Sequence, residues 1–256
     1  MDIKAIRARL AQLNKRGGAG SEHMLKLEEG TTRVRIVPLK GSEDYPFIEM
    51  QFHYQMGGKT YLSPLTYGER DPIAEFSDAL VAEGGLSKED YKAAKKFYPT
   101  SRTYLPVVVR GKEKEGVKFW GFGITIFKKL LAIFADEEYL NIADSKTGRD
   151  LKLTFTPKEQ SSTDFAETEI MVAGNTNVLT NDDELLAALL DDQPVLLDQY
   201  TKHTYEALSA VLERVVNPGV SPTALANNAS IDEEWGEAEA EKSAKKAKKP
   251  AKKIDV

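Results

Sequence analysis

Two short runs set the strongest constraint on the fold. Residues 104–110 (YLPVVVR) and 117–124 (VKFWGFGI) are dense in β-branched and aromatic side chains, and only the polar stretch GKEKEG separates them. Runs of this kind around a loop with glycine at each end read as a β-hairpin. In a strand alternate side chains share a face. Leu105, Val107 and Val109 therefore share one face of the first strand, with Tyr104, Val108 and Arg110 on the other. Lys118, Trp120 and Phe122 share a face of the second. If Arg110 and Lys118 mark the solvent side, Tyr104 and Trp120 stand beside them in water. Exposed rings among cations form a platform on which unpaired bases can stack.

The charge distribution supports that expectation although the total does not. The chain carries a formal net charge of -5, yet residues 88–129 hold eleven Lys or Arg against four acids. A local surplus of this kind, rather than the sum, decides affinity for a polyanion. The acids lie elsewhere, at Asp182, Asp183, Glu184, Asp191 and Asp192, and in a block of six between Asp232 and Glu241 that also holds Trp235. Seven lysines and no acid follow between Lys242 and Lys253. A tail of this composition cannot bury enough apolar surface to fold alone.

Four regions follow from the pattern. Residues 1–20 place Ile3, Ile6, Leu10 and Leu13 at helical spacing among Lys4, Arg7 and Arg9, with Gly17, Gly18 and Gly20 behind them. This reads as a basic arm on a hinge. Residues 21–216 form the core, 217–230 a linker, and 231–256 a disordered charged tail. Within the core, strands are expected over 33–39, 47–54, 59–62, 151–157 and 168–174, besides the hairpin. Gly57-Gly58 turns one pair. Helices are expected after Asp71-Pro72, ending at Gly84-Gly85; after a capping box at Ser87 and Asp90; over 126–140; after Asn181; and from Pro194 to Val216. Strands dominate the first two-thirds and helices close the domain, an α+β chain with a mainly β core.

Catalytic chemistry is hard to find. There is no cysteine, which removes thiol catalysis and thiolate-held metals and fits a reducing cytosol. His23, His53 and His203 lie far apart without ligand spacing and read as surface or strand residues. The glycines at 17–20 lack the Lys-Ser/Thr ending of a phosphate loop. No apolar run is long enough to span a membrane, and MDIKAIRARLAQLNKRGG at residues 1–18 lacks the apolar core of a signal peptide, so a cytoplasmic protein is expected. Two rival readings remain: a metal-dependent nucleic-acid-processing enzyme using the same surface, and a protein-interaction scaffold whose aromatics are core.

The stretches LKLEEGTTRVRIVPL, GGKTYLSP, SRTYLPVVV, EGVKFWGFGITIFKKL and DLKLTFTP followed by STDFAET, in that order and spacing, resemble the helix-destabilising single-stranded-DNA-binding proteins of T-even-type bacteriophages (the gene thirty-two product family). The resemblance implies an OB-fold, a five-stranded Greek-key barrel, with inserted and C-terminal helices, and ssDNA in a basic cleft lined by aromatics. By resemblance Tyr104, Trp120 and Phe165 are the stacking residues, with Phe122, Tyr98, Tyr61 and Tyr91 as further candidates. Arg33, Arg35, Lys59, Arg102, Arg110, Lys112 and Lys118 are expected to meet phosphates. Lys4, Arg7 and Arg9 would carry self-association on DNA, and the tail would recruit replication or recombination proteins. The best-studied members hold zinc with one His and three Cys. His53 falls near that histidine, but the following segment, SPLTYGERDPIAEF, has no cysteine, so no metal or other cofactor is expected. Packing of Leu65, Ile73 and Phe76 would hold the subdomain instead. The lysine-rich end departs from the family's acidic tails and is expected to offset the acid block by binding strand backbone or a neighbour's acids.

Overall fold

Alternation in the first strand, with Val34 and Ile36 inward, meets the same alternation at Leu151 and Leu153, and these pairings organise the core. A computed structural model describes residues 23–43, 45–82, 87–163 and 165–217. The arm with Lys4, Arg7 and Arg9, the Gly84-Gly85 helix stop, the linker beyond residue 217 and the charged tail lie outside the described residues.

The elements run β1 (Gly30–Ile36), β2 (Ile48–Met56), β3 (Lys59–Leu62), α1 (Pro72–Ala82), α2 (Lys88–Lys95), β4 (Thr100–Val109), β5 (Lys118–Phe122), α3 (Ile124–Phe134), β6 (Arg149–Thr156), β7 (Glu167–Thr176), α4 (Asp183–Asp191) and α5 (Tyr205–Val216). The fold is α+β with a mainly antiparallel sheet. The chain divides into two compact units, the first comprising residues up to Met50 with Ser101–Tyr200, the second Gln51–Thr100 with the residues from Thr201 onward.

In the first unit β4 pairs with β5 and β1, β1 with β6, and β6 with β7, all antiparallel. Counting only this unit's strands in chain order, the sheet reads third, second, first, fourth, fifth. That is the order of an OB-fold opened between its third and fifth strands, with α3 between strands three and four. The inner face gathers Val34, Ile36, Leu105, Val107, Trp120, Phe122, Leu151 and Leu153 over Phe127 and Leu130 of α3. On the other face Val37, Val108, Val117 and Leu179 pack with Leu189 of α4.

The second unit is built on the hairpin β2–β3, in which Phe52 pairs with Leu62 and His53 with Tyr61. Gly57 (φ 65°) and Gly58 (φ 85°) turn it, a left-handed pair only glycine adopts freely. Met56 and Ile73 pack against Leu208 and Val211 of α5. Of the three residues expected to hold this unit, Ile73 is fully buried, Phe76 is half-buried and edge-on to Phe97, and Leu65 is exposed.

Strand ends shift by up to four residues, β1 lying at Gly30–Ile36 rather than 33–39, and three helices differ from expectation. Helix α3 starts at Ile124 and stops at Phe134, short of the acids that follow. Asp182, not Asn181, caps α4, its Oδ1 accepting from Leu185 N at 3.1 Å. The helix expected after Pro194 is a short 3-10 turn (Leu196–Gln199) and then α5, capped by Thr204.

Candidate nucleic-acid interface

The hairpin β4–β5 does not present a wet face. Leu105 sits opposite Trp120, and Tyr104 opposite Gly121. Trp120 (3% exposed) and Phe122 (4%) belong to the inner core, with ring centroids 4.7 Å apart. The expectation that Trp120 and Phe122 face water is therefore corrected. The strands are covered on both sides, by the barrel interior and by α4, so alternation separates two buried faces rather than a dry one from a wet one. Tyr104 is also buried. Its hydroxyl lies 3.2 Å from that of Tyr200, and burial, reinforced by Tyr200, pushes its pKa well up. Its ring lies over Gly121, where a β-carbon would come within 2.6 Å of it. Tyr104 thus offers no open ring face.

The expected phosphate ligands separate into three kinds. Arg35 is fully buried, donating to the Asp144 carbonyl, and burial with the nearby Arg110 pulls its pKa down to about 10 against the opposing pull of Asp150 and Asp144. It cannot reach a phosphate, which corrects that expectation. Arg110 is held by its neighbours: Nε and Nη2 donate to Asp150 Oδ1 at 2.9 and 2.7 Å, and Nη1 and Nη2 donate to the carbonyls of Leu179 and Val178 at 2.6 and 2.9 Å. Lys118, mostly covered, lies 3.8 Å from Glu115. Open to water are Arg33, Arg102 and Lys112 in the first unit and Lys59 in the second. Arg33 touches an acid only loosely, its Nε 3.8 Å from Asp150.

Among the expected stacking residues, two open ring sites remain. Phe165 is 75% exposed, in the loop between β6 and β7. Thr163 fixes the loop, its hydroxyl donating to Glu167 at 2.7 Å and accepting from Phe165 N at 3.4 Å. In the second unit Ser87 caps α2, its Oγ accepting from Asp90 N at 3.1 Å. That helix presents Tyr91 (46% exposed) and, beyond its end, Tyr98 (43%). Lys95 lies 5.7 Å from the centroid of Tyr91 and 4.4 Å from that of Tyr98. The sequence reading missed Lys95, although helical spacing sets it four residues after Tyr91. Tyr61 is half-buried, edge-on to His203 at 5.1 Å.

The position expected for zinc holds something else. His53 Nε2 lies 2.8 Å from Asp71 Oδ2, Ser63 Oγ donates to the same oxygen, and the His53 and Asp71 side chains are fully buried. Asp71 Oδ1 caps α1, accepting from Ile73 N and Ala74 N at 2.9 and 3.2 Å. One imidazole, one carboxylate already bonded on both oxygens and one hydroxyl do not make a tetrahedral zinc site. The residues present do not fit the metal.

OB-folds meet oligonucleotides with strands two and three and with the loops after strands one and four. Phe165 stands in the loop after strand four of a sheet with OB strand order. The family model described as gp32 DNA binding protein like matches residues 28–217 of the 256, and the chain belongs to that DNA-binding family. No curated protein matches it. Among the described residues no helix is long and apolar enough to cross a membrane, and no group of three or more His, Asp or Glu is arranged to hold a metal.

Proposed function

We propose that the protein coats single-stranded DNA without strong sequence preference and without catalysis, protecting strands during phage DNA replication, recombination and repair in the host cytoplasm. The observation that carries this reading is the family match over residues 28–217, on a first unit with OB strand order. Bases stack on Phe165, Tyr98 and Tyr91, while Arg33, Arg102, Lys112 and Lys59 meet phosphates. Trp120 and Phe122 shape the core beneath. By binding only open strands the protein destabilises duplexes, as any state-selective ligand shifts an equilibrium. Lys4, Arg7 and Arg9 support self-association along the strand, and the charged tail engages replication or recombination proteins.

Titration of labelled poly-dT across salt concentrations tests the reading. With ~5 phosphates neutralised at about 0.7 per contact, affinity falls by ~10³ or more per decade of salt. Absence of binding at low salt overturns the proposal, and cutting of the strand on adding magnesium replaces it with an enzyme. Phe165→Ala is expected to weaken poly-dT binding by about 1–3 kcal/mol, roughly 5- to 150-fold. Because the ring is largely exposed, the unfolding midpoint should stay where it is. A loss below twofold removes Phe165 from the interface.

A further inference from the structure

The outer face of β1, β6 and β7 carries a charge pattern the fold does not need. In register, Arg33 lies directly opposite Lys152, and Lys152 opposite Met171. Their in-sequence neighbours Val34, Leu151, Leu153, Ile170 and Val172 pack on the core, so these three side chains point outward. Arg33 is 51% exposed, Lys152 is exposed, and Met171 is 64% exposed. One step along, the facing pair is neutral, Thr31 and Thr154 sharing a hydroxyl hydrogen bond at 3.1 Å.

Like charges directly opposite on neighbouring strands cost stability. Nearby acids do little to offset the pair. Asp150 receives two donors from Arg110 and only a 3.8 Å approach from Arg33, while Glu113 lies 3.6 Å from Arg110. Glu169, opposite Thr154, is the nearest acid along β7, yet among the described residues no ion pair includes Lys152. Buried Arg35, opposite Asp150 and two residues along the same face, adds a further positive charge beside the pair. A repulsive pair kept beside an exposed thioether is a local violation of sheet pairing, and such violations gather at functional sites.

We propose that this row, Arg33, Lys152 and Met171, holds the phosphodiester backbone of single-stranded nucleic acid, the two cations on phosphate and the Met171 side chain against sugar or base. It extends the DNA-binding reading above, on which it rests, to the outer face of the sheet and to two residues that reading does not use. Phosphate fits better than an acidic peptide because both cations sit on rigid paired strands, with an apolar side chain in line for a sugar or base edge.

The test is Lys152→Gln in the full chain, with Lys152→Arg as the charge-preserving partner. Removing the repulsion should leave the thermal midpoint unchanged or raised. Binding to poly-dT should weaken severalfold at low salt, and the salt slope should shrink by about 0.7. The gap from wild type then narrows about 2.5-fold between 50 and 200 mM salt. Lys152→Arg should keep both affinity and slope. A wild type that binds while Lys152→Gln matches it in affinity and slope overturns the site alone; a wild type that does not bind overturns the DNA-binding reading itself. Tighter binding by Lys152→Gln also overturns the site, assigning the face to an acidic segment such as residues 232–241.

Discussion

Trp120→Ala is expected to destabilise the fold by about 3–5 kcal/mol, the range for removing a buried aromatic side chain. Trp120 is 3% exposed, opposite Leu105 and against Phe122, in the cluster that also holds Ile36, Leu130 and Leu153. The residues around it come from several strands and a helix, so collapse into the void would need shifts in all of them, and most of the cavity should persist. Set against a usual total of about 5–15 kcal/mol, this loss takes a large share of the margin. Urea unfolding followed by circular dichroism for wild type, Trp120→Ala and Trp120→Phe would measure it, with Trp120→Phe expected to lose less because it fills part of the space. Binding of poly-dT by the fraction still folded should change less than twofold. An unchanged midpoint with fivefold weaker binding would instead make Trp120 a stacking ring.

The reason Trp120 misleads lies in what a strand's alternation can report. It separates two faces but carries no label for water, and the element that covers the second face, α4, lies more than sixty residues downstream of the hairpin. Arg110 and Lys118 looked like markers of solvent because they are charged. Both sit where a strand begins or ends, and their heads reach nearby acids along apolar stems. Local chemistry was far more legible. Gly57-Gly58 turns the β2–β3 hairpin as its left-handed requirement demands, and Ser87 caps α2 through Asp90. Phe165 was placed by resemblance, in a loop without periodicity, and it stands open there. Lys152 escaped notice because its anomaly exists only in register, opposite Arg33 and more than a hundred residues away.

Asp71→Asn is expected to cost the second unit about 1–3 kcal/mol near neutral pH, the range for leaving a buried polar group without its hydrogen-bond partner. The sequence showed Asp71 only as a helix cap before Pro72. Its other oxygen is the partner of His53 and Ser63, eighteen and eight residues earlier in the chain. An amide can still cap α1 but turns donors toward donors at one of these bonds, leaving a buried polar group unpaired. The pH dependence separates this from simple mispacking. Burial, the largest influence, opposes ionisation of Asp71, but the bonds from His53, Ser63 and Ala74 N together hold its carboxyl below the usual value. A carboxyl depressed by folding contributes stability that is fully present above its unfolded value, about 3.9, and is lost as pH falls through the folded one. Glu75, the nearest other carboxylate on α1, is exposed toward Arg70 and Tyr205 and is common to both proteins. The stability gap between wild type and Asp71→Asn, followed by urea unfolding and by hydrogen exchange of α1 and β2–β3, should therefore be wide at pH 5–7 and close below about pH 4. A gap that stays constant down to pH 2.5 would mean that the Asp71 carboxylate does not hold this unit, and that the packing of Ile73 against Leu208 and Val211 holds it instead.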